Sequence, residues 1–193
     1  MVTTLPAQPK TTRDGRPFTV RHARPSDARP LARLFAAVRS EGRWMATPPD
    51  ARSDPREAYY LGEMIRAGVS LVVVAEADGA VVGNVMVTRE PGGMQDHLGV
   101  LSICVDRAWR DNGLGGALIE AALAWSRVNG LQKVALSVFS DNDRAVAVYE
   151  RAGFVHEGVR RMQFRAPGGG FRDELLMAWF SPAPAPIADE APS

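Results

Sequence analysis

The chain has one cysteine in 193 residues, Cys104, so no intrachain disulfide can brace it. Its longest apolar runs, such as "LVVVA" at 71–75, fall far short of the roughly 20 residues that cross a bilayer as a helix. The start, "MVTTLPAQPKTTRDGRP", lacks the basic opening and apolar stretch of a secretory signal, which makes the cytoplasm the expected compartment. There is no excess of one charge: 23 basic residues face 22 acidic ones, interspersed, for a net charge of +1. That balance excludes a basic face for nucleic acid or an anionic membrane, and points to small anions if any. No group of His, Cys and carboxylates has metal-ligand spacing, so no metal is expected. No internal repeat is visible.

What is present is enough apolar material, 46% of residues, for one domain of ordinary size. Residues 1–16 and 181–193 are polar or Pro/Ala-rich and read as flexible ends around a single domain at 17–180. "FTVRHA" reads as a strand, and "SDA" at 26–28 leads into a helix whose apolar positions Leu31, Leu34, Phe35 and Val38 keep helical spacing. After the proline-broken loop "RWMATPPDARSDP" comes the helix "REAYYLGEMIRAG". "SLVVVAEA" and "AVVGNVMVTRE" form a hairpin around Asp78-Gly79. "LGVLSICV" suits a central strand covered on both faces. A helix from about 114 to Asn129-Gly130, the strand "KVALSVF", the helix "NDRAVAVYERAG" and strands at about 154–165 and 171–180 complete a mixed sheet with helices on both faces.

The stretch "WRDNGLGGALIEAALAW", residues 109–125, places Gly113, Gly115 and Gly116 between a strand and a helix. Such a turn presents free N–H groups and a helix dipole to an anion. It is no P-loop, because the Gly-Lys-Ser/Thr ending is missing, and no dinucleotide fingerprint, because Leu118 stands where a small residue belongs. What remains, Arg110-x-x-Gly113-x-Gly115, resembles the pyrophosphate loop of the GNAT superfamily of N-acetyltransferases. "VALSVFSDNDRAVAVYERAGF" resembles that family's second signature, and the element order agrees over about residues 18–180.

The resemblance implies a GNAT-like fold of the α/β (α+β mixed) class: a central mixed, mostly antiparallel sheet of about 6–7 strands with helices on both faces. It implies acetyl-CoA as co-substrate. The amides of Asn112, Gly113, Leu114, Gly115 and Gly116 would wrap the pyrophosphate, with Arg110 shaping or charging the loop. Ile103, Cys104 and Val105 would pair with the pantetheine arm, where strands 98–105 and 133–139 splay apart. Asn142 would cap a helix, touch the arm, or both. Tyr149 would be either a packed aromatic or the general acid for the leaving thiolate. The implied activity is transfer of an acetyl group to a primary amine by direct attack; the alternative is a non-catalytic acyl-CoA sensor on the same fold.

The base is less legible. Some family members carry a glutamate where this chain has Ser137. Glu41, in "SEGRWM", is the first candidate for base or amine contact, against a solvated helix end; Asp50, Glu57, Asp96 and His97 are others, as is a water chain. An amine of pKa about 10.4 needs about 4–5 kcal/mol to lose its proton at pH 7, an α-amine near 8 only about 1. Cys104 reads as core packing. Arg160, Arg161, Arg165 and Arg172 read as a solvated strand face, with Asp173 and Glu174 to answer them, or as readers of an acidic group on the acceptor. The partners expected are thus a small-molecule or peptide amine, with no nucleic acid or membrane, and a homodimer is an ordinary assembly for such a fold.

Overall fold

The structure, a computed structural model, describes residues 5–47, 54–89, 92–166 and 168–182. Along the chain run β1 (Gln8–Thr11), β2 (Pro17–His22), α1 (Ala28–Ser40), α2 (Asp54–Ala67), β3 (Leu71–Ala77), β4 (Ala80–Thr88), β5 (Leu98–Val105), α3 (Leu114–Val128), β6 (Lys133–Phe139), α4 (Asp143–Arg151), β7 (Val155–Arg165) and β8 (Phe171–Phe180). Among the described residues the strands form one sheet in the order β1-β2-β3-β4-β5-β6-β8-β7. Every neighbouring pair is antiparallel except β5 and β6. None of the described helices is long and apolar enough to cross a membrane.

The run "LVVVA" shows why the sheet carries helices on both sides. Successive strand residues face opposite ways. Leu71, Val73 and Ala75 join the core under α3, built around Leu118 and the fully buried Trp125, while Val72 and Val74 pack with Leu31, Phe35 and Leu61 of α1 and α2. Between α1 and α2, Arg39 donates two hydrogen bonds to the Glu57 carboxylate at 2.9 and 2.5 Å, with both side chains at or below 5% exposure.

Two features differ from the sequence reading or sharpen it. Gln8–Thr11 falls inside the segment expected to be flexible, yet it pairs with β2 from Gln8 opposite Val20 to Thr11 opposite Pro17. Its side chains are polar because it is an edge strand, so the backbone ladder holds it without an apolar signature; it takes the sheet to eight strands. The Pro/Ala-rich tail from 183 onward lies outside the described residues. The second feature is the parallel pair, which lasts only from Leu98 opposite Lys133 to Val100 opposite Ala135. Past it β5 continues beside β4 and β6 beside β8, so the two strands diverge as expected.

Candidate functional site

The divergence of β5 and β6 opens a cavity of about 900 Å³. Its wall includes Ile103, Cys104 and Val105 of β5, Gly113, Gly115 and Gly116 at the start of α3, Asn142, Tyr149 of α4, and Trp44 and Met45 from the segment after α1. Beyond Val100 no strand among the described residues lies on the β6-facing edge of β5, which leaves that edge open to an extended ligand.

The glycines divide into two kinds. Gly113 is the residue before α3 and has φ +92°, a conformation that L side chains rarely adopt, so the backbone requires glycine there. Gly115 and Gly116 lie within the helix without a positive φ, and a Cβ built on either meets no atom within 4 Å. The fold does not need them to be glycine. What a side chain at these positions would fill is the cavity itself, beside the free N–H groups of a helix start. That cradle fits a phosphate group, which needs both the amides and the clearance.

Arg110 shapes this loop. Its Nε donates to the Val105 carbonyl at 2.9 Å, and its two terminal nitrogens donate to the two carboxylate oxygens of Glu41 at 2.7 and 2.6 Å. The charge of Arg110 is thereby met by Glu41, and the glycine loop is strapped to the end of α1. This is the place of Glu41: a strut, and not part of the cavity wall. The Arg110 hydrogen bonds hold its carboxyl below the usual carboxylate range, the opposite of what a base at neutral pH requires. Because the folded-state value is lowered, the pair's contribution to stability is present above the ordinary carboxylate pKa and is lost as pH falls through the folded value. Glu41→Gln is expected to raise the KM for acetyl-CoA several-fold by loosening Arg110, with a kcat within about threefold of the parent; steady-state kinetics against acetyl-CoA reads both.

The other candidate bases are also placed. His97 is exposed just before β5, and its carbonyl accepts from the N–H groups of Gln132 and Lys133. It is at the closed end of the splay, about 26 Å of strand from Val105 at roughly 3.3 Å per residue, and is not in the cavity wall. Asp96 is its exposed neighbour. Glu57 is committed to Arg39, and Asp50 lies outside the described residues. Ser137 does line the cavity.

Three carboxylates line the cavity, the exposed Asp111 and Glu120 and the buried Glu174, and the sequence offers the last only as an answer to the arginines. Glu174 is 7% exposed, stands opposite Phe139 in the β6–β8 register, and accepts from Arg160 at 3.0 Å. The signal for it is alternation: Glu174 is in phase with Leu176, Ala178 and Phe180, an acid at the head of an apolar face, with Arg172 before it. Arg172, in turn, stacks on Phe139 at 3.7 Å, donates to the Arg43 carbonyl at 2.8 Å and pairs with Asp141, tying the segment after α1 to the start of α4.

Asn142 is the cap of α4, its side-chain oxygen accepting from the Ala145 N–H at 3.4 Å, and it also lines the cavity. Tyr149 is 7% exposed, in contact with Phe154 at 5.8 Å between ring centres, and burial pushes its hydroxyl up to about 12. Burial does the same to the Cys104 thiol, raised to about 12, so Cys104 is no nucleophile at neutral pH. Among the described residues no His, Cys and carboxylate group could hold a metal ion.

A mixed sheet splayed at its one parallel pair, with a glycine-rich helix start at the opening, defines the GNAT class of fold. Comparison with known proteins agrees. The family model described as "Acetyltransferase (GNAT) family" matches residues 36–154. The L-amino acid N-acetyltransferase AaaT of Escherichia coli (strain K12) is 34% identical over 110 residues, which are 55% of this chain and 65% of that protein, so the match spans just under two thirds of that relative's length. Among solved structures, the acetyltransferase of GNAT family from Streptococcus pneumoniae superposes with a TM-score of 0.77 at 26% identity, over 85% of this chain and 99% of that one. The yncA protein from Salmonella typhimurium, solved with its cofactor acetyl-CoA, shares the fold at a TM-score of 0.76 and 17% identity, over 89% of this chain and 98% of that one. The chain belongs to the acetyltransferase (GNAT) family.

Proposed function

We propose that the protein is an N-acetyltransferase that moves an acetyl group from acetyl-CoA to a primary amine by direct attack, over a single domain that takes in β1 at Gln8–Thr11 and runs to β8 at Phe180. The observation that carries the donor half is the pair Gly115 and Gly116, whose missing side chains clear space the fold itself does not need. The coenzyme supplies an acetyl thioester, an activated carbonyl with a thiolate as leaving group. The residues at 112–116 hold its pyrophosphate, the free edge of β5 at Ile103 to Val105 aligns its arm, and Asn142 steadies that arm from the start of α4.

Tyr149 is the acid. Against an exposed thiol near 8.5, a tyrosine raised to about 12 is mismatched by about 3.5 pKa units, roughly 5 kcal/mol. The hydroxyl therefore keeps its proton in the resting site and offers the sulfur a hydrogen bond that strengthens as the thiolate forms.

An α-amine suits the acceptor side best. It loses its proton at a cost of only about 1 kcal/mol at pH 7. The buried carboxylate of the cavity, Glu174, already accepts from Arg160, so it orients an ammonium more readily than it strips one of high pKa. AaaT, with its L-amino acid acceptors, supports the same class. The test is release of free thiol from acetyl-CoA across α-amino acids, polyamines, lysine side chains and peptide N-termini. Acceptor-dependent release with α-amines foremost is expected; tight CoA binding with no release for any amine would sink the enzyme reading and leave a sensor.

A second prediction isolates the glycines. Gly115→Ala places a methyl group in the cradle while improving helix propensity by about 0.5–1 kcal/mol. The melting temperature is expected to hold or rise while the KM for acetyl-CoA rises at least tenfold, a combination that a purely structural glycine would reverse.

A further inference from the structure

The cation beside the glycine cradle does not come from the family-matched stretch at all. Arg110 is spent on Glu41, Arg144 is paired with Asp111 at 3.0 Å, and Arg151 lines the cavity from the last turn of α4. Arg127 lines the cavity from the far end of α3, some 20 Å along the helix axis from Gly113 at about 1.5 Å per residue. Arg13 is different. Its side chain lies beside Gly113, with Cγ and Nε 3.8 and 3.9 Å from where a Cβ of that residue would stand, and it lines the cavity. Among the described residues its guanidinium has no carboxylate partner, and it is exposed. The adjacent acid in the chain, Asp14, is taken by Thr12, by Arg16 at 2.9 Å and by the side-chain amide of Asn112 at 3.1 Å.

Arg13 is also held in register with the loop it adjoins. The turn between β1 and β2 is closed by Thr12 N–H to the Arg16 carbonyl at 2.9 Å, Gly15 N–H to the Thr12 carbonyl at 3.0 Å, and Arg16 N–H to the Thr12 hydroxyl at 2.9 Å. The Arg13 N–H donates to the Asn112 carbonyl at 2.9 Å, inside the cradle. Arg16 clamps the preceding turn, donating to the Ala108 carbonyl at 3.0 Å while its guanidinium covers the Trp109 ring at 4.2 Å. A strand and a turn that carry one unpaired guanidinium to a helix start, and bond there to the backbone, do what a phosphate site needs: they add a full charge to the partial charge of the amides.

We propose that Arg13, delivered by the N-terminal strand and turn, binds the pyrophosphate of the coenzyme, making residues 8–16 part of the donor site. The inference rests on the acetyl-CoA reading above. It is tested by titrating the full chain and its Arg13→Ala and Arg13→Gln variants with CoA, 3′-dephospho-CoA and S-acetylpantetheine, which lacks phosphate. Both variants are expected to bind CoA and 3′-dephospho-CoA about tenfold more weakly, with a shallower salt dependence, and to bind S-acetylpantetheine as the parent does. Arg13→Gln keeps the polar stem, so an equal loss in both variants assigns the effect to charge. Unchanged CoA affinity in both overturns the proposal while leaving the acetyl-CoA reading intact. A penalty that vanishes with 3′-dephospho-CoA moves the contact to the 3′-phosphate and overturns the pyrophosphate assignment. A parent chain that binds no CoA overturns both readings.

Discussion

Tyr149→Phe is expected to lower kcat for acetyl transfer by about 100-fold while leaving the Kd for CoA within about twofold. Phenylalanine keeps the ring, and with it the packing on Phe154 and the 7% exposure, so the change removes one hydroxyl and little else. That hydroxyl makes no hydrogen bond among the described residues, so no partner is stranded by its loss. A group that acts only as the thiolate forms contributes to the barrier and not to ground-state binding, which is why kcat falls and affinity does not. Full turnover in the variant would return Tyr149 to the role of a packed aromatic. Its titration gives a separate check. With the folded value raised to about 12 by burial, the neutral hydroxyl's contribution to stability is present below about 10, the value of an unfolded tyrosine, and is lost as pH rises toward about 12. The ultraviolet difference titration between parent and variant should therefore show an ionisation only near the upper end of that window.

The second large effect is on stability. Removing either partner of the Arg39–Glu57 pair takes two charge-assisted hydrogen bonds from a charge that stays enclosed between α1 and α2, and breaking a buried pair in this way costs about 3–5 kcal/mol. Glu57→Ala is expected to lower the free energy of unfolding by about that amount in a urea titration, and Arg39→Ala by a comparable amount. The double variant is expected to lose less than the sum, since two charges that depend on one another leave together. Full additivity would mean that the two residues stabilise the helices independently. α1 also carries Glu41 at its C-terminal cap, so a loosened α1 should weaken CoA binding as well.

Much of the donor side was legible because its reasons are local. Gly113 needs a left-handed conformation that its own backbone imposes, Asn142 caps the helix that starts one residue later, and the apolar run of β5 already marked it as central. The acceptor side was misread wherever a charge was judged by its neighbours in the chain. Glu41 looked like a free carboxylate in a loop, and its partner Arg110 is 69 residues away. His97 looked near the mouth of the central strand and stands at the opposite end from the opening. Glu174 looked like one of two acids answering a solvated arginine face and is buried in the cavity wall.

By itself the sequence determined the strand and helix order, the glycine turn and the family it resembles, because periodicity, capping and positive φ depend on residues a few positions apart. Only the tertiary structure decided which carboxylate is buried in the cavity wall, which arginine is neutralised and which has no carboxylate partner among the described residues, and that a polar N-terminal segment is a strand. Those outcomes depend on what the folded path brings within a few ångströms, and a charge takes its pKa and its role from that company.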